Sequence, residues 1–145
     1  MCGIVGYVGA EGAAGILING LKRLEYRGYD SSGIALHNGG IRVIKRKGKV
    51  AELESALDYA ELTHYRSGIA HTRWATHGAP SDVNSHPHTS CNGKISLVHN
   101  GIIENYQTLR EQLSARGHVF TTETDTETVV HLVEYYYEQT GDFLE

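Results

Sequence analysis

At 145 residues the chain fits one domain, residues 1–145, large enough to bury about 68–70% of its unfolded surface. With 40% hydrophobic and 21% charged residues, a net charge of −4 and no run of like charges, the composition is that of a soluble globular protein. It excludes a dedicated nucleic-acid surface, and no apolar stretch is long enough for a membrane span.

The first element is an apolar run at Gly3–Val8, read as a buried strand because Ile4, Val5 and Val8 are apolar. It is too short for the core of a signal peptide. A turn at 9–12 leads to a helix over 13–26 with Leu17, Leu21 and Leu24 on one face, and Gly28 sits where a left-handed C-terminal cap is expected. Strands over 32–37 and 41–46 are joined by Asn38-Gly39-Gly40, a strong hairpin signal. The basic triplet Lys45-Arg46-Lys47 reads as a solvated strand end. A second amphipathic helix is expected over 50–62 and a strand over 67–72. A long polar loop over 75–92 holds both prolines, and loops of that length in compact domains are usually functional or disordered. A strand over 94–99 follows. Ile102, Tyr106, Leu109 and Leu113 mark a helix ended by Gly117. The last helix starts near Thr124, whose hydroxyl is expected to form a capping box with Glu127, and presents Val129, Val133, Tyr136 and Tyr137. Asp142 after Gly141 reads as the N-cap of a further helix, so the expectation is a longer protein. The element order is α+β, with antiparallel pairing where hairpins join strands.

Cys2 carries the first chemical signal. Removal of Met1 would leave a thiol and a free α-amine on one residue, a nucleophile beside a base that titrates near neutral pH. Taken alone, Cys2 is also an ordinary small apolar residue starting a strand. Cys2 and Cys91 are the two cysteines and make no disulfide framework, so a reducing compartment, the cytoplasm, is expected. Four polar clusters could serve chemistry: 26–31, 71–78, 99–101 and 123–126. An arginine at a strand end offers a planar fork matched to a carboxylate. An aspartate near a helix start can pair with an ammonium. Asn-Gly sets an amide donor beside an N–H open to close approach, the parts of an oxyanion hole. Singly, Asn100-Gly101 is a turn, Asp125 a helix-start residue and Arg73 a surface ion pair. Jointly with Cys2 they describe a site where the side-chain carbonyl of an amino acid is attacked, and the carboxamide of glutamine fits. A metal-binding module built on His71, His77, His86, His88 and Cys91 is a different possibility, but those spacings match no zinc pattern, and no metal is expected.

Cys2-Gly3-Ile4-Val5-Gly6, Arg27-Gly28-Tyr29-Asp30-Ser31, residues 71–78, His86-Pro87-His88 and residues 99–105 together resemble the class II glutamine amidotransferases, in family order over essentially the whole chain. Tyr29 and the Trp-Ala-Thr-His stretch are most similar to the branch that aminates fructose 6-phosphate, and less to amidophosphoribosyltransferase, which shares the opening. The resemblance implies an N-terminal-nucleophile αββα sandwich, truncated at its C-terminal side, with the sugar-phosphate isomerase domains absent. It implies Cys2 as nucleophile, its amine as base, and Asn100 and Gly101 as the oxyanion hole. It implies that Arg73 holds the α-carboxylate of L-glutamine, helped by Thr76 and His77, and that Asp125 holds the α-amine. Trp74 would lie near the ammonia exit, and Arg27 would help fix the Cys2 end. No cofactor is implied, and the full-length enzyme is expected to be a homo-oligomer. A fold that keeps the motifs only for binding is the remaining alternative.

Overall fold

Antiparallel pairing builds the main sheet from β1 (Gly3–Val8), β2 (Ser31–His37), β3 (Ile41–Lys47) and β4 (Ser67–Arg73), in the order β1-β4-β2-β3. The computed structural model describes residues 2–27 and 29–144, and the expectations placed on Met1, the Arg27 side chain, Gly28 and Glu145 lie outside the described residues. The β2–β3 hairpin turns through Asn38-Gly39-Gly40, with Gly39 at φ 70°, a conformation glycine adopts without steric cost. Register puts Gly3 opposite Thr72 and Ser32 opposite Thr72 on its other side, so the starts of β1 and β2 flank the last residues of β4 at one end of the sheet.

β1 is not a buried strand. It is the sheet edge: Val5 and Tyr7 pack on the core, whereas Ile4 is 45% and Val8 87% exposed. Period-two alternation outweighs the apolar run, because each face of a strand takes every second side chain.

α1 (Ala13–Leu24) buries Leu17, Ile18 and Leu21 against this sheet, at the helical spacing read from the sequence, and a 3₁₀ turn continues over Glu25–Arg27. The expected helix over 50–62 is two helices, α2 (Val50–Ser55) and α3 (Tyr59–Leu62). Asp58 divides them by accepting a hydrogen bond from the Ala60 N–H at 3.0 Å, an N-cap that starts a new helix. α1, α2 and α3 supply most of the apolar core, with Val50, Leu53 and Leu62 fully buried beside Ile34 and Leu36 of β2.

Residues 81–101 cross the opposite face of the sheet. The carbonyl of His86 lies so close to Gly33 that a Cβ there would stand 2.1 Å from it. Lys45 Nζ donates to the Val83 carbonyl at 2.9 Å. A second sheet forms here from β5 (His88–Thr89) and β6 (Ser96–Leu97), much shorter than the strand expected over 94–99. α5 (Thr126–Thr140) packs on β5 and α4 (Tyr106–Ala115) packs on α5, giving helices, sheet, sheet and helices in that order. Gly117 (φ 94°) and Gly141 (φ 70°) close these two helices as read from the sequence.

The start of α5 departs from expectation. Thr124 does not cap it; its hydroxyl pairs with His88 Nε2 at 2.8 Å. Glu127 reaches back instead to the N–H groups of Thr121 and Thr122 and the Thr122 hydroxyl. The buried face of α5 holds Glu127, Val130, His131 and Glu134, while Tyr136 is 54% exposed and Val129 and Val133 only half-buried. Asp142 accepts the Leu144 N–H at 2.8 Å, the bond of an N-cap, within residues that form no helix among those described.

Candidate active site

Cys2 lies where β1 begins, and its Sγ is held by the strand-end backbone of β4. The Trp74 N–H donates to Sγ at 3.1 Å, and Sγ in turn faces the Trp74 carbonyl at 3.7 Å. The Gly3 N–H donates to the Thr72 hydroxyl at 3.0 Å. The sheet register therefore fixes the thiol, since β1 and β4 are hydrogen-bonded neighbours.

A cavity of about 290 Å³ opens beside the thiol. That is near the lower end of the about 300–1,000 Å³ typical of ligand pockets and suits a small polar ligand. It brings together Cys2, Arg73, Trp74, Thr76, Asn100, Gly101 and Asp125, with His86, His99, Ile102 and Thr126 completing the wall. His77 does not line it. Its ring packs on Tyr106 at 4.8 Å, and only its carbonyl bears on the site, by accepting from Arg73 Nη2.

Arg73 is 3% exposed. Burial pushes its pKa down, and the charges of Asp30, Cys2, Asp125 and Glu123 work against that. Its Nη groups bond the carbonyls of His77, Gly78 and Ala79. Three carbonyls do not exhaust the five N–H donors of an arginine, and Arg73 also lines the cavity. The loop and the guanidinium thus form one unit, which a sequence cannot display. Asp125, also 3% exposed, accepts the Ile103 N–H at 2.7 Å, tying the segment after Asn100-Gly101 to the start of α5.

Asn100 presents its carboxamide through a partner the sequence reading missed. Its Oδ1 is 2.7 Å from His71 Nε2. A carbonyl oxygen accepts only, so His71 carries its proton on Nε2, and the Asn100 NH₂ is left free to donate. His71 is fully buried, and burial, with the neighbouring Arg73 and His99, drives its pKa down to about 4. It stacks on His86 with ring centroids 4.2 Å apart, and His86 contacts His88 at 4.5 Å. Burial also lowers His86, further than His71, and takes His88 down to about 3, so the trio is neutral at physiological pH. These are wall and positioning histidines. Asp30 is the second missed residue: its Oδ2 accepts the Ala75 N–H at 2.6 Å and its N–H donates to the Arg73 carbonyl at 2.8 Å, pinning the strand end that carries Trp74. Both lie within motifs visible in the sequence, but their roles depend on contacts made across the sheet.

The sequence pattern described as the glutamine amidotransferase domain matches residues 57–145. The chain belongs to this family, and its fold is the N-terminal-nucleophile sandwich of such amidotransferases. Among curated proteins it is 56% identical over 144 residues to the glutamine–fructose-6-phosphate aminotransferase [isomerizing] of Pyrococcus horikoshii, covering 99% of this chain and 24% of that protein. Proteins of the same name from Thermus thermophilus (57% over 146 residues) and Caldanaerobacter subterraneus (58% over 148 residues) match 100% of this chain and 24% of their own length. The chain thus spans about a quarter of the curated relatives it matches. Among solved structures, the glutamine phosphoribosylpyrophosphate amidotransferase from B. subtilis superposes with a TM-score of 0.76 at 29% identity, over 99% of this chain and 30% of that one.

Proposed function

We propose that this chain hydrolyses L-glutamine to glutamate and ammonia, as the glutaminase part of a glutamine–fructose-6-phosphate aminotransferase. The observation that carries the reading is one cavity holding the Cys2 thiol with Arg73, Asp125 and the Asn100-Gly101 pair. Cys2 Sγ attacks the side-chain carbonyl carbon of glutamine. The α-amine of Cys2, free once Met1 is removed, takes the thiol proton and hands it to the departing ammonia. The tetrahedral oxygen is met by the Asn100 NH₂, oriented by His71, and by the Gly101 N–H. Water then cleaves the γ-glutamyl thioester and restores the thiol. Arg73 holds the substrate α-carboxylate with Thr76 beside it, Asp125 holds the α-ammonium, and Trp74, 56% exposed at the cavity mouth, borders the route by which ammonia leaves.

The acceptor assignment follows identity: 56–58% to enzymes named for fructose 6-phosphate, against 29% to the phosphoribosylpyrophosphate enzyme. In this reading fructose 6-phosphate binds to parts of a longer homo-oligomeric cytoplasmic protein, and ammonia is passed to it there. No cofactor takes part in the glutaminase step.

The test is Asn100→Ala. Loss of one oxyanion donor costs about 10²–10³ in turnover. Glutamate release should therefore show kcat falling by that order with little change in KM. A change confined to KM would make Asn100 a binding or turn residue.

A further inference from the structure

Away from the Cys2 cavity, α5, the turn after α4 and the loop between β5 and β6 bring a second group of side chains together. Cys91 Sγ, His118, His131 and Glu134 each offer one ligand atom, and these atoms lie within 4.8 Å of one another. We propose that they form a tetrahedral zinc site.

The separations fit that geometry. With Zn–S near 2.3 Å and Zn–N or Zn–O near 2.0–2.1 Å, tetrahedral angles give S···N edges of about 3.5 Å and N···O edges of about 3.3 Å. Cys91 Sγ is 3.5 Å from His131 Nδ1. Glu134 Oε1 is 3.1 Å from His118 Nδ1 and 3.9 Å from His131 Nδ1. The remaining separations stay within 4.8 Å, so side-chain rotations that draw the four ligand atoms inward would close the shell around an ion.

The imidazoles are turned the right way. His131 Nε2 lies 3.4 Å from Glu127 Oε2, so its proton sits on Nε2 and the Nδ1 lone pair faces the cluster. That carboxylate–histidine pair is the outer shell that metal-bound histidines use, and Glu127 is itself fixed by Thr121 and Thr122. His118 Nδ1 is buried without a hydrogen bond, although Glu134 stands 3.1 Å away, and the side chain is only 10% exposed. With the His118 proton on Nε2, a cation between Nδ1 and the Glu134 carboxylate would take the lone pairs of both. Glu134 is oriented by the N–H groups of Cys91 and Asn92, at 3.3 and 2.8 Å. One thiolate and one carboxylate balance a divalent ion, and a thiolate with two imidazoles selects zinc over magnesium or calcium. A cleft of about 370 Å³, lined by Cys91, His118, Glu134 and Glu138, gives the ion a way in. It shares no lining residue with the Cys2 cavity. This site does not depend on the glutaminase assignment, and it uses none of His71, His86 and His88, whose rings pack against one another instead.

The test is cobalt substitution in the full-length protein after removal of metals. Titration with Co²⁺ should give tetrahedral visible bands and a thiolate-to-cobalt charge-transfer band, saturating at one equivalent and displaced by Zn²⁺. Cys2→Ser should keep the charge-transfer band and Cys91→Ser should lose it. Glu127→Gln should weaken zinc binding about 10–100-fold, as outer-shell changes do. Should a variant not fold, alkylation of the parent decides: zinc must slow modification of Cys91, located by mass spectrometry, and leave Cys2 reactive. The proposal is overturned if no thiolate band forms, if the band tracks Cys2, or if zinc leaves Cys91 alkylation unchanged.

Discussion

Cys2, Asn100, Gly101, Arg73 and Asp125 are legible as chemistry in the sequence because each sits in a short polar motif at the end of a strand or the start of a helix. What could not be read there is who holds them. His71 orients Asn100, Asp30 pins the strand end beside Cys2, and the carbonyls of residues 77–79 occupy part of Arg73. Those residues look like strand and turn positions until the sheet brings them together. The Arg73 geometry makes a sharp prediction. A lysine at 73 would lose both the loop carbonyls and a planar fork for the substrate carboxylate. Arg73→Lys should therefore lower kcat/KM for glutamine nearly as far as Arg73→Ala. A mild effect of the lysine would mean that charge alone acts there. Asp125→Ala should cost glutamine much more kcat/KM than it costs a glutamine analogue lacking the α-amine. Equal losses for both would show that Asp125 acts only through Ile103 and the start of α5.

Among the elements, those with a local signal were readable and those set by tertiary contact were not. The β2–β3 hairpin follows from Asn38-Gly39-Gly40, and α1 from the spacing of Leu17 and Leu21. The division of 50–62 is not visible in the sequence because its apolar spacing runs through the break, while one Asp58 side-chain bond makes it. In α5 the apolar stripe at Val129 and Val133 competes with a polar stripe, and the polar one is buried because His131, Glu127 and Glu134 satisfy each other and nearby backbone. The contact between β2 and residues 86–88 gives a test at this scale. A methyl group at Gly33 has no room beside the His86 carbonyl. Gly33→Ala should destabilise the fold by about 1–3 kcal/mol, the usual cost of overpacking, and displace the His86 wall of the cavity. A urea midpoint and a glutaminase activity both equal to the parent's would show that the segment moves aside freely.

Across the molecule, three neutral histidines between the two sheets link stability to pH. His71, near 4, and His88, near 3, lie below the ordinary 6.5 because they are buried beside Arg73 and Lys45, with Glu127 only partly offsetting this at His88. The unfolded chain binds their protons first as the pH falls. The stability present above about pH 6.5 is therefore lost between about 6.5 and 4, at up to about 1.4 kcal/mol per pH unit for each group. Urea midpoints should drop between pH 7 and 5, above the range where carboxylates titrate, and His88→Gln should flatten that slope. A constant midpoint over that range would show that these rings are not held neutral by the fold.

The central claim is that Cys2, as the first residue, attacks glutamine in the cavity it shares with Asn100, Arg73 and Asp125. Intact-mass analysis of the protein treated with a glutamine-like affinity label tests it most directly. The account predicts a parent mass lacking Met1, a single addition mapped to Cys2, protection by excess glutamine, and no addition in Cys2→Ser. Label arriving at Cys91, or glutamate release persisting in Cys2→Ser, would contradict it.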